Sequence, residues 1–307
     1  MTNIDKNKLY DGVLGLAIGD ALGVPAEFMS REQLQYKPIT DMLSGGAWNQ
    51  PAGTWSDDTA MTLATIDALN KCNWEYSKLL CDIIMLNFEL WYKTGKFAAC
   101  GNRFDIGETC RKAIEHYIEY SNPENCGLGK YNYGNGALMR ILPVVFSNKN
   151  PIPILQVSRL THNNKVCDFA SLIYTDLIKE LLVDTEKEMA FEYVQDRFRG
   201  RRDISIEFSR LLNQNFSKLD EEEVKSSGYV IDTLEAAIWC FLNTNNYIDC
   251  VLTAVNLGDD TDTVAAVAGG LAGIYYGINE NNGIPEKWIN KLRDLKSLQK
   301  IVNAVYD

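Results

Sequence analysis

The sequence predicts an all-α protein, and three observations carry that prediction. Apolar residues recur at helical spacing in segment after segment. Alternating strand patterns of any length are absent, and with them the strand–helix rhythm of a dinucleotide-binding sheet. No low-complexity linker or internal repeat divides the chain, so residues 1–307 read as a single domain.

The elements follow in order. "DDTAMTLATIDALN", from Asp57, reads as a helix with Met61, Ala64, Ala68 and Leu69 inward. In "KLLCDIIMLNFELWYK", Leu80, Ile83, Ile84, Phe88 and Trp91 share one helical face. Leu234, Ala237, Ile238 and Phe241 do the same in "DTLEAAIWCFLN". Val264 to Tyr276 is the longest apolar run; it is short for a bilayer and rich in glycine, so a buried core helix is expected and no membrane span. Residues 23–56 and 121–137 are rich in Gly, Pro, Asn and Ser and read as long, functional loops. "RFRGRR" (Arg197 to Arg202) reads as a solvated turn between helices, and "DEEE" (Asp220 to Glu223) as a solvated face or loop.

Composition narrows the function. The net charge is −11, the opposite of the basic footprint of a nucleic-acid binder. The polar start MTNIDKNK shows no secretory h-region. Eight scattered cysteines without a CxxC pair predict reduced thiols and a cytoplasmic location. With two histidines, His116 and His162, a close-spaced His/Cys zinc site is not expected.

Two acidic clusters stand out. "NLGDDTDTVAAVAGG" places three carboxylates and two threonines between Asp259 and Thr263, directly before the apolar run. "GTWSDDTAMTLA" places Ser56, Asp57 and Asp58 at another helix start. Helix capping explains one such side chain per helix. Each cluster offers more, and adjacent carboxylates repel unless a cation neutralises them. Oxygen-only ligands suit hard cations such as magnesium, calcium or manganese, and two facing clusters suit two ions.

The chain resembles the ADP-ribosylglycohydrolase family along nearly its whole length. The carrying motifs are "GVLGLAIGDALGVPAEF", "GTWSDDTAMTLA", "FDIGETC", "YGNGALMRILPV", "THNN", "SGYVIDTLEAAIW" and "GDDTDTVAAVAGGLAG", in that order. The resemblance implies a compact orthogonal multi-helix fold with two magnesium ions in a cleft, manganese being able to substitute. It implies hydrolysis of the bond joining ADP-ribose to a protein side chain such as arginine or serine, by a monomer. Ser56, Asp57, Asp58, Asp260, Asp262 and Thr263 match the metal ligands. Glu27 matches an acidic residue that approaches the metals and regulates the site, and Asp105 a cleft aspartate for acid/base work. Tyr133, Gly134, Asn135 and Gly136 match the loop lining the diphosphate, and His162 and Tyr229 match positions near ADP-ribose. Two departures are visible: Ser56 stands where threonine is usual, and Asp259 where glycine is common.

Read without the resemblance, several of these residues have plainer roles open to them. Glu27 and Asp105 suit a solvated surface, His162 a structural histidine, and Tyr133 and Tyr229 packing. A catalytically silent relative would be expected to lack part of the acidic set. A prenyl diphosphate enzyme would space its carboxylates along a helix rather than crowd them at its start.

Overall fold

A computed structural model describes residues 5–146, 154–204 and 206–304. Thirteen α-helices occur among the described residues, with short 3-10 turns and isolated β-bridges in place of a sheet. They are α1 (Lys6–Gly23), α2 (Arg31–Tyr36), α3 (Asp57–Lys71), α4 (Lys78–Thr94), α5 (Glu108–Tyr120), α6 (Ile154–Ser158) and α7 (Lys165–Leu181). The chain continues through α8 (Lys187–Arg199), α9 (Val230–Leu242), α10 (Tyr247–Asn256), α11 (Thr261–Tyr276), α12 (Glu286–Ile289) and α13 (Leu295–Asn303).

The centre of the fold is the crossing of α1 and α11, and glycine sets its closeness. A Cβ on Gly15 would lie 2.3 Å from the Gly269 carbonyl oxygen, and one on Gly19 2.1 Å from that of Ala265. One on Gly23 would lie 2.3 Å from Asp262 Cα. Contacts step by four along α1 and back by three or four along α11, so the helices run antiparallel with backbones touching. Side chains of ordinary size would hold them at the usual 8–10 Å. The end of α1 is thereby pressed against the start of α11. Tyr247 Oη caps the arrangement by donating to the Gly15 carbonyl at 2.7 Å, and Tyr174 Oη donates to that of Val267 at 3.0 Å.

The other amphipathic helices surround this pair. Met61, Ala64, Ala68 and Leu69 of α3 are buried, as are Leu80, Ile84, Phe88 and Trp91 of α4; Ile83 is half-buried. Leu234, Ala237, Ile238 and Phe241 of α9 face inward as their spacing predicts. Val264 to Ile274 is buried throughout, which bears out the core-helix reading. By length and composition Lys6–Ala26 also qualifies as a membrane span, yet 89% of its qualifying 18-residue window is buried inside this fold.

Some local expectations change. The stretch 23–56 is not all loop: Ser30 and Gln33 form a capping box that starts α2, and Asn256 holds both backbone groups of Ile39. "RFRGRR" is not one solvated turn. Arg197 and Arg199 lie in the last turn of α8, and Arg197 pairs with Asp176 and Glu180. Arg199 pairs with Asp196, and Arg201 with Asp203. "DEEE" is solvated as expected, in a 3-10 turn, Glu221–Glu223, with its own capping box. All eight cysteines are free.

Candidate metal centre and active site

The first acidic cluster is built on the start of α3. Asp20, reaching over from α1, caps that helix: its carboxylate accepts from Ser56 N at 2.8 Å, Thr59 N at 3.0 Å and Thr59 Oγ1 at 2.6 Å. Ser56 Oγ lies 3.4 Å from Asp58 N and donates to Asp58 Oδ2 at 3.0 Å. The helix end is therefore served without Asp57 or the second oxygen of Asp58. Both residues are buried, and Asp58 Oδ1 has no hydrogen-bond partner.

The second cluster is built on the start of α11. Asp260 does not cap it; Oδ2 accepts from Asn135 Nδ2 at 2.7 Å. Asp262 Oδ1 accepts from Thr263 N at 2.9 Å, while Asp262 Oδ2 is buried and unpartnered. Thr263 Oγ1 lies 3.5 Å from Asp58 Oδ2, so the two helix starts touch through their side chains.

The carboxylates converge in two overlapping groups. Asp20, Asp58 and Asp262 place ligand oxygens within 4.8 Å of one another, and so do Glu27, Asp105 and Asp262. Asp57 and Asp260 fall outside these groups and line the cleft above them with Thr263. Burial, reinforced by neighbouring carboxylates, pushes Asp57, Asp58 and Asp262 well above the ordinary range. Burial alone raises Asp20 to about 6 against its hydrogen bonds. Burial and then Asp105 raise Glu27 to about 8; burial and then Asp260 raise Asp105 to about 6.

A hard divalent cation fits this site. Two buried carboxylate oxygens lack partners, a costly state unless a positive group meets them. The surrounding donors are oxygen, which selects magnesium, calcium or manganese over softer metals.

Above the carboxylates lies a cleft of about 750 Å³. One wall is the loop of Gly134, Asn135 and Gly136; Tyr133 and Tyr229 stand beside it and are not among the cleft's lining residues. Asn135 N donates to the Gly228 carbonyl at 3.2 Å and Val230 N to that of Tyr133 at 2.9 Å, which seats the loop on the start of α9. A Cβ on Gly136 would lie 2.5 Å from Cys110 Sγ and 3.1 Å from His162 Cε1, so close approach requires that glycine. The rings of Tyr133 and Tyr229 meet edge to face at 6.4 Å. His162 is 1% exposed, yet edges the cleft. Its Nδ1 lies 2.8 Å from Thr161 Oγ1, which accepts from the buried guanidinium of Arg140 at 2.8 Å. Burial and then Arg140 push His162 down to about 3, so the ring is neutral.

Sequence reasoning missed Asp20 and Trp48. Asp20 is the one carboxylate in the apolar run "GVLGLAIGDALG", and that isolation was its signal. Trp48 donates its indole N–H to Glu27 Oε2 from a loop with no periodicity to mark it.

Comparison with known proteins agrees with this geometry. The family model described as ADP-ribosylglycohydrolase matches residues 1–307. The chain is 32% identical to the ADP-ribosylarginine hydrolase Tri1 of Serratia proteamaculans, covering 99% of this chain and 80% of that protein. It is 30% identical to the ADP-ribosyl-[dinitrogen reductase] glycohydrolase of Rhodospirillum rubrum, covering 95% and 92%. A solved structure titled ADP-ribosylglycohydrolase-related protein complex superposes with a TM-score of 0.81 at 29% identity, covering 98% and 97%. The chain belongs to the ADP-ribosylglycohydrolase family and is a hydrolase of that class.

Proposed function

We propose that this protein removes ADP-ribose from arginine side chains, with divalent magnesium held between the starts of α3 and α11. The observation that carries the reading is the pair of unpartnered carboxylate oxygens, on Asp58 and Asp262, beneath an open cleft. Ser56, Asp57, Asp58, Asp260, Asp262 and Thr263 are the proposed ligands, with Asp20 fixing the helix start that presents three of them. Bound there, a hard cation supplies Lewis acidity toward water and the ribose hydroxyls. The arginine acceptor is supported by the names of the two Tri1 relatives.

The chain's own groups do the rest. Backbone amides of Gly134 and Gly136 meet the diphosphate without a basic side chain, the Asn135 amide being engaged with Gly228. Tyr133 and Tyr229, beside the Gly134–Gly136 wall, are the proposed aromatic partners of the nucleoside. His162, neutral, offers a hydrogen bond rather than a charge. Cleavage of the glycosidic bond develops oxocarbenium character at the anomeric carbon. The departing guanidino nitrogen gains a proton and the attacking water loses one. Asp105 and Glu27 flank that point, and Trp48 fixes the Glu27 carboxyl by its indole N–H. The free cysteines suit a reducing, cytoplasmic compartment.

The test is release of ADP-ribose from arginine-linked and serine-linked proteins. Arginine-linked substrate is expected to turn over, to stop in EDTA, and to recover with magnesium or manganese but not zinc. Full activity in chelator, or preference for serine linkage, contradicts the reading.

A further inference from the structure

The cleft has a rim that the hydrolytic chemistry does not use. Phe28, next to Glu27, is 66% exposed and sits at φ 68°, a left-handed backbone unusual for a bulky residue. It is held there deliberately: Phe28 N donates to the Asp259 carbonyl at 2.9 Å, and Asp259 N donates to that of Met29 at 2.8 Å. Asp259 also has positive φ, 60°, and its side chain is exposed at the cleft. The Phe28 ring lies 6.1 Å from that of Trp48, which lies 6.0 Å from that of Phe104, the residue before Asp105. Three aromatic rings and a free-standing carboxylate thus edge the two acidic residues that flank the proposed reacting bond. The neighbouring cation, Arg103, is engaged elsewhere: it stacks on Tyr92 at 4.2 Å and donates to the Tyr92 carbonyl at 2.7 Å.

An exposed aromatic ring beside carboxylates, with the half-buried rings of Trp48 and Phe104 behind it, suits a flat organic cation. A guanidinium stacks on rings and pairs with carboxylates, and it is weakly hydrated enough to leave water for such a surface. A neutral hydroxyl acceptor gains little here, and an anionic one is repelled. We propose that Phe28 and Asp259, backed by Trp48 and Phe104, form an acceptor-recognition rim that selects a guanidinium conjugate. This rests on the arginine-linked reading above and deepens it.

The test is steady-state kinetics of the magnesium-loaded full chain on two substrates sharing ADP-ribose. One is ADP-ribosylarginine; the other is an aryl ether of ADP-ribose, whose neutral leaving group needs no cation recognition. Phe28→Ala, Phe28→Leu and Asp259→Asn are compared with wild type, Asn being chosen because it tolerates the left-handed backbone. Each variant is expected to lower the arginine-to-aryl ratio of kcat/KM by about tenfold, chiefly through KM for the arginine conjugate. Equal losses on both substrates, or an unchanged ratio, overturn the rim as a specificity device. If wild type cleaves the aryl ether but not ADP-ribosylarginine, the arginine reading falls and the rim proposal with it. If wild type cleaves neither, the proposed hydrolytic site itself is wrong.

Discussion

Helix α3 begins Ser56-Asp57-Asp58 and helix α11 begins Asp260-Thr261-Asp262-Thr263, and the two ends use their acidic side chains differently. At α3 the capping work goes to Asp20, a carboxylate from another helix, with Ser56 assisting. Asp57 and Asp58 are left as surplus negative charge on a buried turn. At α11 no side chain caps from the N-cap position; Asp260 turns to Asn135 and Asp262 folds back on Thr263 N. Both ends leave one buried oxygen without a partner. Two unrelated capping solutions that converge on the same deficit indicate a requirement outside helix stability. The proposed cation, bound between the two ends, would supply what both lack.

The largest expected effect comes from removing either deficit. Asp58→Asn and Asp262→Asn each keep shape while replacing a ligand oxygen by an amide. Each is expected to cost more than about 100-fold in kcat/KM for ADP-ribosylarginine, beyond the usual loss for residues that merely support a metal ligand. Wild-type rates in either variant at ordinary magnesium would return that helix start to simple capping.

Gly19→Ala tests whether the two starts must be held in register. The added Cβ would meet the Ala265 carbonyl at 2.1 Å, and backbone on both sides has to move. Overpacking of this kind costs roughly 1–3 kcal/mol. Thermal unfolding is expected to fall by several degrees, with magnesium affinity falling too. A lower melting temperature with unchanged magnesium affinity would show that the crossing supports the fold but not the site.

Asp20→Asn separates capping from charge. The amide oxygen can still accept from Thr59, but the NH2 that replaces the other oxygen faces the Ser56 N–H, so stability is expected to fall by about 1–3 kcal/mol, the cost of an unsatisfied buried donor. Magnesium affinity should also fall by about 10- to 100-fold, the range for residues that orient ligands. Equal affinity in variant and wild type, by titration calorimetry, would confine Asp20 to capping.

The smallest effect is in the pH dependence of the metal-free protein. Without metal the cleft carboxyls are raised, Asp20 and Asp105 to about 6 and Glu27 to about 8. A carboxyl raised on folding binds its proton more tightly in the native state. Its contribution is full below the ordinary carboxylate range near pH 4 and is lost as pH rises through the raised value. In EDTA the melting temperature should therefore fall between about pH 4 and pH 8. Saturating magnesium should flatten that fall. A chelated protein that grows more stable across the window would contradict the assigned shifts.

How much of this was legible in the sequence depends on how local each signal is. Helices α3, α4, α9 and α11 were readable because burial imposes a period on their own residues. The acidic clusters were readable because carboxylates crowd within five positions or fewer. Asp20 was not, because its partners at Ser56 and Thr59 lie about forty residues away and its own surroundings are apolar. Trp48 was hidden for the same reason: its role depends on Glu27 across a fold in an irregular loop. Helix α2 was missed inside a glycine- and proline-rich stretch because a six-residue helix spans too few turns to show a period. The convergence of Asp58 with Asp262 was not a local property either. It follows from the glycines that let α1 and α11 touch, and the resemblance supplied it before the packing explained it.

Direct titration of magnesium tests the shared site most cleanly. Calorimetry on chelator-stripped wild type, Asp58→Asn and Asp262→Asn asks whether one ion depends on both helices. Saturable binding to wild type and a large loss in each variant are expected, although the two substituted residues lie on different helices. Wild-type affinity and stoichiometry in either variant would show that the two starts do not share a metal.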